Sequence, residues 1–375
     1  MKLLMVIGTR PEAIKMLPLY KECLKDNTLD IKLVVTGQHR EMLDQVLEVF
    51  DVRPDYDLNI MEMKQTLYSI TVKILTKLEL ILKEEQPDYL LVHGDTTTTF
   101  ASSLAAFYQQ IKVAHVEAGL RTFHKYSPFP EEMNRKLVDG MADLFFCPTQ
   151  ETKLNLIAEN VPEEKIFITG NTAIDALNYT LSSEKKLFMK ESKRKILITM
   201  HRRENLGEPM EQVFRAISAF SKENPEFEFY FPVHRNPQIV NLANQYFSHN
   251  PLFHLTKPLD VKEFHNFMAE CYLILTDSGG IQEEAPTLNV PVLVLRETTE
   301  RDEGVKTGAL RLIGTDEEKV YQALTHLLED KETYRKMAEA VNPYGDGKAS
   351  DRIVNILKYI HGHSYEKPSI FEYAR

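Results

Sequence analysis

The sequence predicts an α/β protein with two doubly wound domains, each containing a parallel sheet covered by helices on both faces. Short apolar runs alternate with helix-length amphipathic segments along the chain, which is typical of parallel sheets. The alternation restarts after a charged stretch at 183–195, and a length of 375 residues fits two domains of ordinary size. The predicted domains are therefore residues 1–183 and 184–359.

Each predicted strand is a short run rich in Val, Ile, Leu or Phe, and each predicted helix carries apolar residues at helical spacing. Strands are expected at 3–7, 31–35, 89–92, 113–116, 144–147 and 166–169, and then at 196–199, 227–231, 252–255, 271–276 and 290–295. Helices are expected at 11–25, 39–50, 96–110, 130–142, 149–159 and 172–182, and then at 208–223, 236–247, 260–269, 279–286, 316–329 and 349–361. The stretch 183–195 is either a linker or a solvated helix end.

Composition and charge argue against several functions. The chain has 45 Lys and Arg against 55 Asp and Glu, a net charge of −10, which argues against a nucleic-acid partner. No apolar run reaches the ~18–20 residues of a membrane span, and the N-terminal run is too short for a signal peptide. Cys23, Cys147 and Cys271 are scattered along the chain, so we expect a reducing, cytoplasmic compartment and no metal site.

Polar side chains cluster where the predicted strands of the first domain end, and open α/β sheets bind their ligands at that edge. Arg10 and Lys15 flank a helix N-terminus after the first strand, an arrangement suited to an anion. Asp95 follows the strand at 89–92, where it is either an N-cap for the next helix or a functional acid.

Further carboxylates follow at the same edge. Glu117 ends the apolar run 113–116 and is either paired with Arg121 or a titrating group. Glu131 fits the first turn of a helix, where the helix dipole favours an acid. One such acid is commonly structural, but Asp95, Glu117 and Glu131 at one edge favour acid/base chemistry.

The second domain carries cations and a glycine-rich turn at the corresponding positions. His201 and Arg202 follow its first predicted strand, and His234 follows its second. The Ser-Gly-Gly segment 278–280 opens a helix with bare backbone N–H groups that suit a phosphate. Glu284 lies one turn further on and can accept hydrogen bonds from a ribose diol.

The motifs for common nucleotide cofactors are absent. Gly8 stands alone after the first strand, so GxGxxG is missing, as is the Walker phosphate loop, and we expect no cofactor. One domain offers mainly carboxylates and the other offers cations with a phosphate-type turn. This division suits a nucleotide-sugar, with its diphosphate and nucleoside on the second domain and sugar chemistry on the first.

Motifs that follow one another from residue 8 to residue 350 carry a family resemblance. They are GTRPEAIKMLPL at 8–19, GQHREMLDQVL at 37–47, HGDTTTTF at 93–100, HVEAGLRT at 115–122, PEEMNR at 130–135, ADLFFCPT at 142–149, ITGNTAID at 168–175, HRRENLGEP at 201–209, PVHRNP at 232–237, TDSGGIQEEAP at 276–286, TTER at 298–301 and NPYGDGKAS at 342–350. On these motifs the chain resembles the bacterial non-hydrolysing UDP-N-acetylglucosamine 2-epimerases.

The resemblance implies a fold like that of the GT-B glycosyltransferases, with two Rossmann-like domains facing a central cleft and a C-terminal helix or tail at 360–375 that rejoins the first domain. It also implies a homodimer. The implied reaction is the reversible conversion of UDP-N-acetylglucosamine (UDP-GlcNAc) to UDP-N-acetylmannosamine (UDP-ManNAc), by anti elimination of UDP to 2-acetamidoglucal and syn re-addition. The product would supply cell-surface polysaccharide synthesis.

By matching position, the resemblance implies catalytic roles for Asp95, Glu117, Glu131 and His201. Asp95 and Glu117 would handle the C2 proton with help from Glu131, and His201 would contact the departing diphosphate. Binding roles are implied for Arg10, Lys15, Phe264, Ser278, Gly279, Gly280, Glu284 and Arg301. Among these, Glu284 would bind the ribose hydroxyls and Phe264 would lie against the uracil. Asp277 is expected to be a structural acid at a strand end.

Some bacterial members of the family are activated by their own substrate, bound beside the active site. The matching positions are Gln38, His39, Gln65, Arg202 and His234. Glu41 and Lys64 depart from the family pattern, in which Gln and Arg often stand, and a lysine lacks the bidentate reach of an arginine. Asp302 replaces the proline that usually follows TTER.

Other activities would use many of the same site residues. A hydrolysing epimerase would release free N-acetylmannosamine and UDP, and a related epimerase would act on another 2-acetamido UDP-sugar. A GT-B glycosyltransferase would use the same phosphate site with an acceptor. A nucleotide-sugar sensor without turnover is a further class, against which the intact set of Asp95, Glu117, Glu131 and His201 argues.

Overall fold

The computed structural model describes residues 1–37, 40–62, 65–181, 194–234 and 236–373. These residues form two compact units, each with its own parallel sheet. The first unit combines Met1–Tyr179 with Tyr344–Glu372, and the second is mainly Thr180–Pro343. The predicted fold class, two Rossmann-like doubly wound α/β domains, is confirmed.

The first unit is a three-layer arrangement of helices on both faces of a sheet. Its strands are β1 (Lys2–Ile7), β2 (Asp30–Val35), β3 (Tyr56–Asp57), β4 (Tyr89–His93), β5 (Lys112–Val116), β6 (Leu144–Cys147) and β7 (Ile166–Ile168). Its helices are α1 (Arg10–Leu24), α2 (Arg40–Val49), α3 (Leu67–Glu85), α4 (Thr97–Tyr108), α5 (Glu131–Asp139), α6 (Gln150–Ala158) and α7 (Thr172–Thr180). Within the described residues, the strands pair in parallel in the order β3-β2-β1-β4-β5-β6-β7.

Side chains of β1 alternate between two hydrophobic cores, as the two-residue period of a strand requires. Leu3, Met5 and Ile7 pack into the core that contains buried residues of α1 and α2. Leu4 and Val6 pack into the core that contains buried residues of α3 and α4. A strand buried on both faces explains why this run is continuously apolar in the sequence.

The second unit repeats the same winding. Its strands are β8 (Arg194–Thr199), β9 (Phe227–Pro232), β10 (Phe253–Thr256), β11 (Leu273–Thr276), β12 (Val292–Val294) and β13 (Leu310–Leu312). Its helices are α8 (Glu208–Glu223), α9 (Pro237–Phe247), α10 (Val261–Met268), α11 (Gly279–Glu284), α12 (Asp302–Lys306), α13 (Glu317–Glu329) and α14 (Lys331–Ala338). Among the described strands the order is β10-β9-β8-β11-β12-β13, and all pairs are parallel.

Both sheets have a point at which the winding reverses direction, between β1 and β4 in the first unit and between β8 and β11 in the second. Ligands of doubly wound sheets bind at the carboxyl ends of the strands beside such a point. The loop after β1 approaches α4 closely there, because a Cβ on Gly8 would lie 2.2 Å from Thr98 Oγ1. Only glycine fits that approach.

The C-terminal helix α15 (Ala349–Ile360) belongs to the first unit. Ile353, Ile356 and Leu357 are buried in the same core as α1 and α2. Asp175 holds the start of α15 by accepting the backbone N–H of Ala349 at 3.2 Å and that of Ser350 at 2.7 Å. The predicted end of the second domain at residue 359 therefore moves back to residue 343, and the return to the first unit starts at 344 rather than 360.

The sequence and the structure also differ at the charged stretch and at α3. The stretch 183–195 lies outside the described residues except for its last two positions, which begin β8. Helix α3 is not predicted by the apolar pattern of the sequence, and the structure shows why. Its buried face carries apolar side chains such as Ile74 and Leu78, but Val72 and Leu80 on other faces are exposed, so the apolar period is blurred.

No helix in the described parts of the chain is both long enough and apolar enough to cross a membrane. The three cysteines are free thiols buried in the cores. Burial raises the pKa of the Cys23 thiol, and those of Cys147 and Cys271, well above the ordinary value. They are therefore inert apolar packing groups at neutral pH.

Docking of α15 is a testable contribution to the stability of the first unit. Leu357→Ala opens a cavity at a fully buried site, and we expect it to lower the free energy of unfolding by about 2–5 kcal/mol. Urea unfolding followed by far-ultraviolet circular dichroism measures the loss. Asn355→Ala, on the exposed face of the same helix, is the matched control. Equal unfolding midpoints for the two variants would contradict the assignment.

Candidate active site

Glu117 is a buried carboxylate at the end of β5 on which three parts of the first unit converge. Lys15 of α1 forms an ion pair with its Oε2. Asn171, directly before α7, donates from Nδ2 to the same oxygen at 2.9 Å, and Nε2 of His93 in β4 lies 3.5 Å from it. The backbone of Glu117 has a φ of 64°, a left-handed conformation that is uncommon for non-glycine residues and concentrates at functional sites.

The surroundings of Glu117 determine its protonation. Burial on its own would raise the pKa of the carboxyl, but the charge of Lys15 and the nearby His93 hold the pKa well below its ordinary value. Glu117 is therefore ionised at neutral pH and is ready to accept a proton.

Asp95 lies in the loop between β4 and α4, and its side chain is 23% exposed. Its Oδ2 forms a 2.6 Å ion pair with Nη2 of Arg135, and its backbone carbonyl accepts from Nδ2 of Asn134 at 2.8 Å. The N-cap of α4 is Thr96, whose hydroxyl accepts from the backbone N–H of Thr99. The capping alternative for Asp95 was therefore wrong, and its carboxylate is oriented by Arg135.

The start of α5 is held by an acid next to the predicted candidate. Glu131 opens the helix, as the sequence predicted, and is half-buried. Its neighbour Glu132 is buried and accepts the backbone N–H groups of Thr122 and Phe123, each at 3.0 Å. Glu132 therefore has a structural role, and the loop that follows Glu117 is tied to α5.

Arg121 pairs with other carboxylates than Glu117. It donates from Nη2 to Asp139 Oδ2 and to Glu159 Oε2, both at 2.7 Å. The alternative in which Arg121 neutralises Glu117 was therefore wrong, because Lys15 has that position.

Glu12 is a second fully buried acid, close to the start of α1. It accepts from the backbone N–H groups of Gly8 at 3.1 Å and Thr9 at 2.7 Å, and from the Thr96 hydroxyl at 2.8 Å. Burial raises its pKa above the ordinary value, although these hydrogen bonds oppose the rise. Glu12 therefore connects the starts of α1 and α4. This connection gives a structural reason for the threonine run at 96–99.

In the second unit, Asp277 organises the corresponding loops. It is completely buried after β11 and accepts the backbone N–H of His201 at 3.0 Å and that of Arg202 at 2.9 Å. Asn205 donates to it from Nδ2 at 3.0 Å. These bonds fold the loop after β8 against the end of β11, in agreement with the structural role expected for Asp277.

His201 is presented on this loop with 43% of its side chain exposed. Its ring is nearly parallel to that of His234, with centroids 5.9 Å apart. Partial burial lowers the pKa of His201; Asp277 opposes that effect, while His234 and Arg202 add to it. The imidazole is therefore mainly neutral at neutral pH, so it can both donate and accept a hydrogen bond.

Arg301 covers the start of α11, which begins at Gly279 after the N-cap Ser278. A Cβ on Gly279 would lie 2.9 Å from Arg301 Cζ, so the glycine permits the guanidinium to lie against the backbone. Arg301 donates from Nη2 to Glu283 Oε1 at 2.8 Å. Burial would raise the pKa of nearby Glu300, but Arg301 and Arg296 lower it to about 2. The cations around this turn are therefore fixed by ionised carboxylates.

The remaining candidates of the second unit lie on α10 and α11. Glu284 ends α11 and is largely buried, with its Oε2 3.5 Å from Nε2 of His265. His265 is hydrogen-bonded through Nδ1 to the Thr180 hydroxyl at 2.6 Å. Phe264 is half-buried on α10, and Gly280 follows Gly279 in the first turn of α11.

The predicted regulatory positions are only partly described. Gln38 and His39 lie outside the described residues. Arg202 donates from Nε to the backbone carbonyl of Asp277 at 2.9 Å, and His234 lies beside His201. The regulatory role of these residues and of Gln65 stays a prediction.

His93, Asn171 and Arg135, which contact Glu117 or Asp95, were not among the candidate residues predicted from the sequence. All three lie in the family motifs HGDTTTTF, ITGNTAID and PEEMNR, but their partners are distant in sequence.

The other candidates of the first unit, Arg10 and Glu131, lie at the starts of α1 and α5. No group of three or more His, Cys, Asp or Glu side chains in the described ranges is arranged to hold a metal ion.

Comparison with known proteins finds relatives along almost the whole chain. The protein-family model described as UDP-N-acetylglucosamine 2-epimerase matches residues 21–358 of this chain. A UDP-N-acetylglucosamine 2-epimerase from Bacillus subtilis (strain 168) is 54% identical over 374 residues, which cover 99% of this chain and 98% of the relative.

Solved structures of similar proteins point to the same family. An S. aureus protein solved with UDP is 48% identical and superposes with a TM-score of 0.91, covering 99% of this chain and 100% of that one. The Neisseria meningitidis UDP-GlcNAc 2-epimerase bound to UDP-GlcNAc is 48% identical with a TM-score of 0.88, covering 95% of this chain and 99% of that one.

The ion pair between Lys15 and Glu117 predicts a specific titration. In Lys15→Met, we expect the pKa of Glu117 to rise, because the cation that offsets its burial is lost. Carbon-13 NMR of glutamate-labelled protein follows the titration, with Glu117→Gln identifying the resonance. Lys21→Met, on the same helix and bonded to Tyr179, is the control. An unchanged Glu117 titration in Lys15→Met would contradict the electrostatic argument.

Proposed function

The chain belongs to the UDP-N-acetylglucosamine 2-epimerase family, and from that premise we propose that it interconverts UDP-GlcNAc and UDP-ManNAc without hydrolysis. The observation that carries the proposal is the ionised, buried carboxylate of Glu117 beside Lys15, at the same sheet edge as the partly exposed carboxylate of Asp95. An acid pair of this kind suits removal and return of a proton at carbon.

The proposed chemistry avoids direct removal of an unactivated proton. The C2 proton of the sugar is not adjacent to a carbonyl, so its loss is coupled to cleavage of the C1–O bond on the opposite face. A carboxylate accepts the proton, the electron pair forms the C1–C2 double bond, and UDP leaves with the bonding electrons of C1–O. UDP then adds back to the same face of C1, and a proton is delivered to the other face of C2.

In the first unit, Asp95 and Glu117 exchange the C2 proton and Glu131 assists. The support for Glu117 is its ionised state at neutral pH, and the support for Asp95 is its orientation by Arg135 together with its partial exposure. Arg10 and Lys15, at and after the start of α1, add positive charge for the phosphates.

In the second unit, the UDP part of the substrate is bound. Relatives from S. aureus and N. meningitidis were solved with UDP and with UDP-GlcNAc, which supports the same ligands here. Neutral His201 and cationic Arg301 contact the diphosphate and stabilise the charge that develops as it leaves. The backbone N–H groups of Gly279 and Gly280 add donors beside Ser278, whose own N–H donates to Thr276 Oγ1 at 2.9 Å. Glu284 accepts from the ribose hydroxyls, and Phe264 lies against the uracil.

Proton NMR of the enzyme with UDP-GlcNAc in heavy water tests the proposed function, without added cofactor. We expect UDP-ManNAc to appear and C2 of both sugars to gain deuterium, because the proton taken from C2 exchanges with solvent. Accumulation of free N-acetylmannosamine and UDP would instead identify a hydrolysing epimerase. Turnover that requires an added acceptor would identify a glycosyltransferase.

In the proposed role, the product of the reaction is a precursor for cell-surface polysaccharide.

Substitution of the two carboxylates separates chemistry from binding. We expect Asp95→Asn and Glu117→Gln each to lower kcat by about 100- to 10,000-fold, the range of acid/base catalysis, with a much smaller change in the Kd for UDP. Initial-rate assays and calorimetric titration with UDP measure the two quantities. Glu48→Gln, an exposed acid on α2, is the control. Near-normal turnover in either carboxylate variant would show that the assignment is wrong.

The homodimer expected from the family resemblance has support in one face of the first unit. Tyr68, Val72 and Leu80 of α3 are exposed apolar side chains at four- and eight-residue spacings, so they share a stripe. Phe107 and Tyr108 at the end of α4 are also exposed. Beside them is a cavity of about 470 Å³ between α3 and α4, lined by Leu75 and Ala105 among others. A second copy of the chain covers this face in the proposed dimer.

A charge placed on the stripe tests the dimer. We expect the wild-type protein to have twice the mass of one chain in light scattering, and Leu80→Glu to shift it to a single chain, because burial of an unpaired carboxylate opposes association. Leu154→Glu, at another exposed leucine position on α6, is the matched control. A dimer that is insensitive to Leu80→Glu would place the interface elsewhere.

A further inference from the structure

A buried charged network lies behind the loop that carries Asp95. The ring of His115 in β5 is completely buried, with Nδ1 2.6 Å from Asp139 Oδ1 and Nε2 2.8 Å from the backbone carbonyl oxygen of Gly94. Arg121 donates from Nη2 to the other oxygen of Asp139 and to Glu159 Oε2, both at 2.7 Å, and from Nε to Glu159 Oε1 at 2.9 Å. None of these contacts was used in the proposed mechanism.

The partners of His115 determine where its protons are. A backbone carbonyl is only an acceptor, so Nε2 must carry a proton. Asp139 is an acceptor as well: burial would raise the pKa of its carboxyl, but His115 and Arg121 keep the pKa below the ordinary value. Nδ1 must then carry a proton too. Of the other groups that face Asp139, Cys147 is a neutral thiol, because burial raises its pKa.

We propose that His115 is a doubly protonated imidazolium at neutral pH and that it is a positioning residue, which fixes the Gly94 carbonyl and through it the carboxylate of Asp95. The network then alternates in sign from His115 through Asp139 and Arg121 to Glu159, so that each buried charge has an opposite neighbour.

The backbone around Asp95 depends on this contact. Gly94 has a φ of 65°, and its N–H donates to the carbonyl of Val116 at 2.9 Å, so both of its backbone polar groups are bonded to β5. The next carbonyl, that of Asp95, is bonded to Asn134 of α5. Because Asp139 is also on α5, one helix and one strand together fix the peptide from which the Asp95 side chain projects.

Ring protonation can be measured without substrate. Long-range proton–nitrogen NMR of histidine-labelled full-length protein identifies His115 by the loss of its signals in His115→Gln. We expect both ring nitrogens to be protonated at neutral pH, because each of them faces an acceptor. An unprotonated ring nitrogen on His115 at neutral pH would overturn the proposal.

The positioning role rests on the proposed function, and paired variants test it. We expect Asp139→Asn to remove one ring proton from His115 and to lower kcat by about 10- to 100-fold with KM nearly unchanged, because a small misplacement of a reacting group is costly in rate but not in binding. Glu159→Gln removes the charge that faces Arg121 and Lys136 and leaves the contacts of His115 in place, so we expect it to keep both ring protons and normal turnover.

The outcomes separate the two claims. Unchanged kcat in Asp139→Asn after loss of the ring proton would overturn the positioning role. Equal loss of turnover in Glu159→Gln would also overturn it, because general loosening of the network would then be the cause. If Asp139→Asn does not fold, the wild-type ring signals still decide the protonation state. Absence of epimerase turnover in the wild-type protein would refute the proposed function and leave the ring measurement valid.

Discussion

The ion pair between Lys15 and the buried carboxylate of Glu117 is the constraint around which the first unit is arranged. A carboxylate removed from water costs several kcal/mol unless charge and hydrogen bonds offset that cost. Lys15 supplies the charge and Asn171 supplies a hydrogen bond. Asn171 also donates its backbone N–H to Tyr344 at 2.7 Å, where the chain re-enters the first unit. The position of one carboxylate therefore depends on α1, β5 and the C-terminal return together.

Other charged residues of the candidate site are also paired with residues of opposite charge. Arg135 is matched by Asp95 and Arg301 by Glu283, and in the second unit the loop of His201 is held by the buried Asp277. Such pairs keep the side chains in fixed orientations before any ligand arrives, which is the condition for electrostatic stabilisation of a charge that develops during reaction. In the proposed function, an incoming diphosphate has to compete with these carboxylates for the cations.

Much of the fold and the general location of the site could be predicted from the sequence. The alternation of apolar runs with amphipathic segments predicted parallel sheets, and the structure places the polar segments after β1, β4, β8 and β11 at the two reversal points. The Ser-Gly-Gly helix start was likewise recognisable, because glycine and an N-cap serine are local signals. These features depend on neighbours within a few residues.

Pairings across the fold could not be predicted in this way. Lys15 and Glu117 are 102 residues apart and Asn171 and Glu117 are 54 residues apart, so no local pattern connects them. Arg121 seemed a natural partner for Glu117 from sequence distance, but the sheet directs it to Asp139. Helix α15 has an ordinary amphipathic pattern, and only the tertiary packing of Leu357 shows which core it completes.

Positional isotope exchange tests the central claim, that the C1–O bond to UDP breaks and re-forms during epimerisation. UDP-GlcNAc carrying ¹⁸O in the oxygen between C1 and the phosphate is incubated with enzyme, and ³¹P NMR follows the label. The account predicts that the label moves to non-bridging positions of the same phosphate while UDP-ManNAc forms, since the freed phosphate can rotate before re-addition. Epimerisation with the label still entirely in the bridge, together with deuterium entry at C2, would contradict the elimination route.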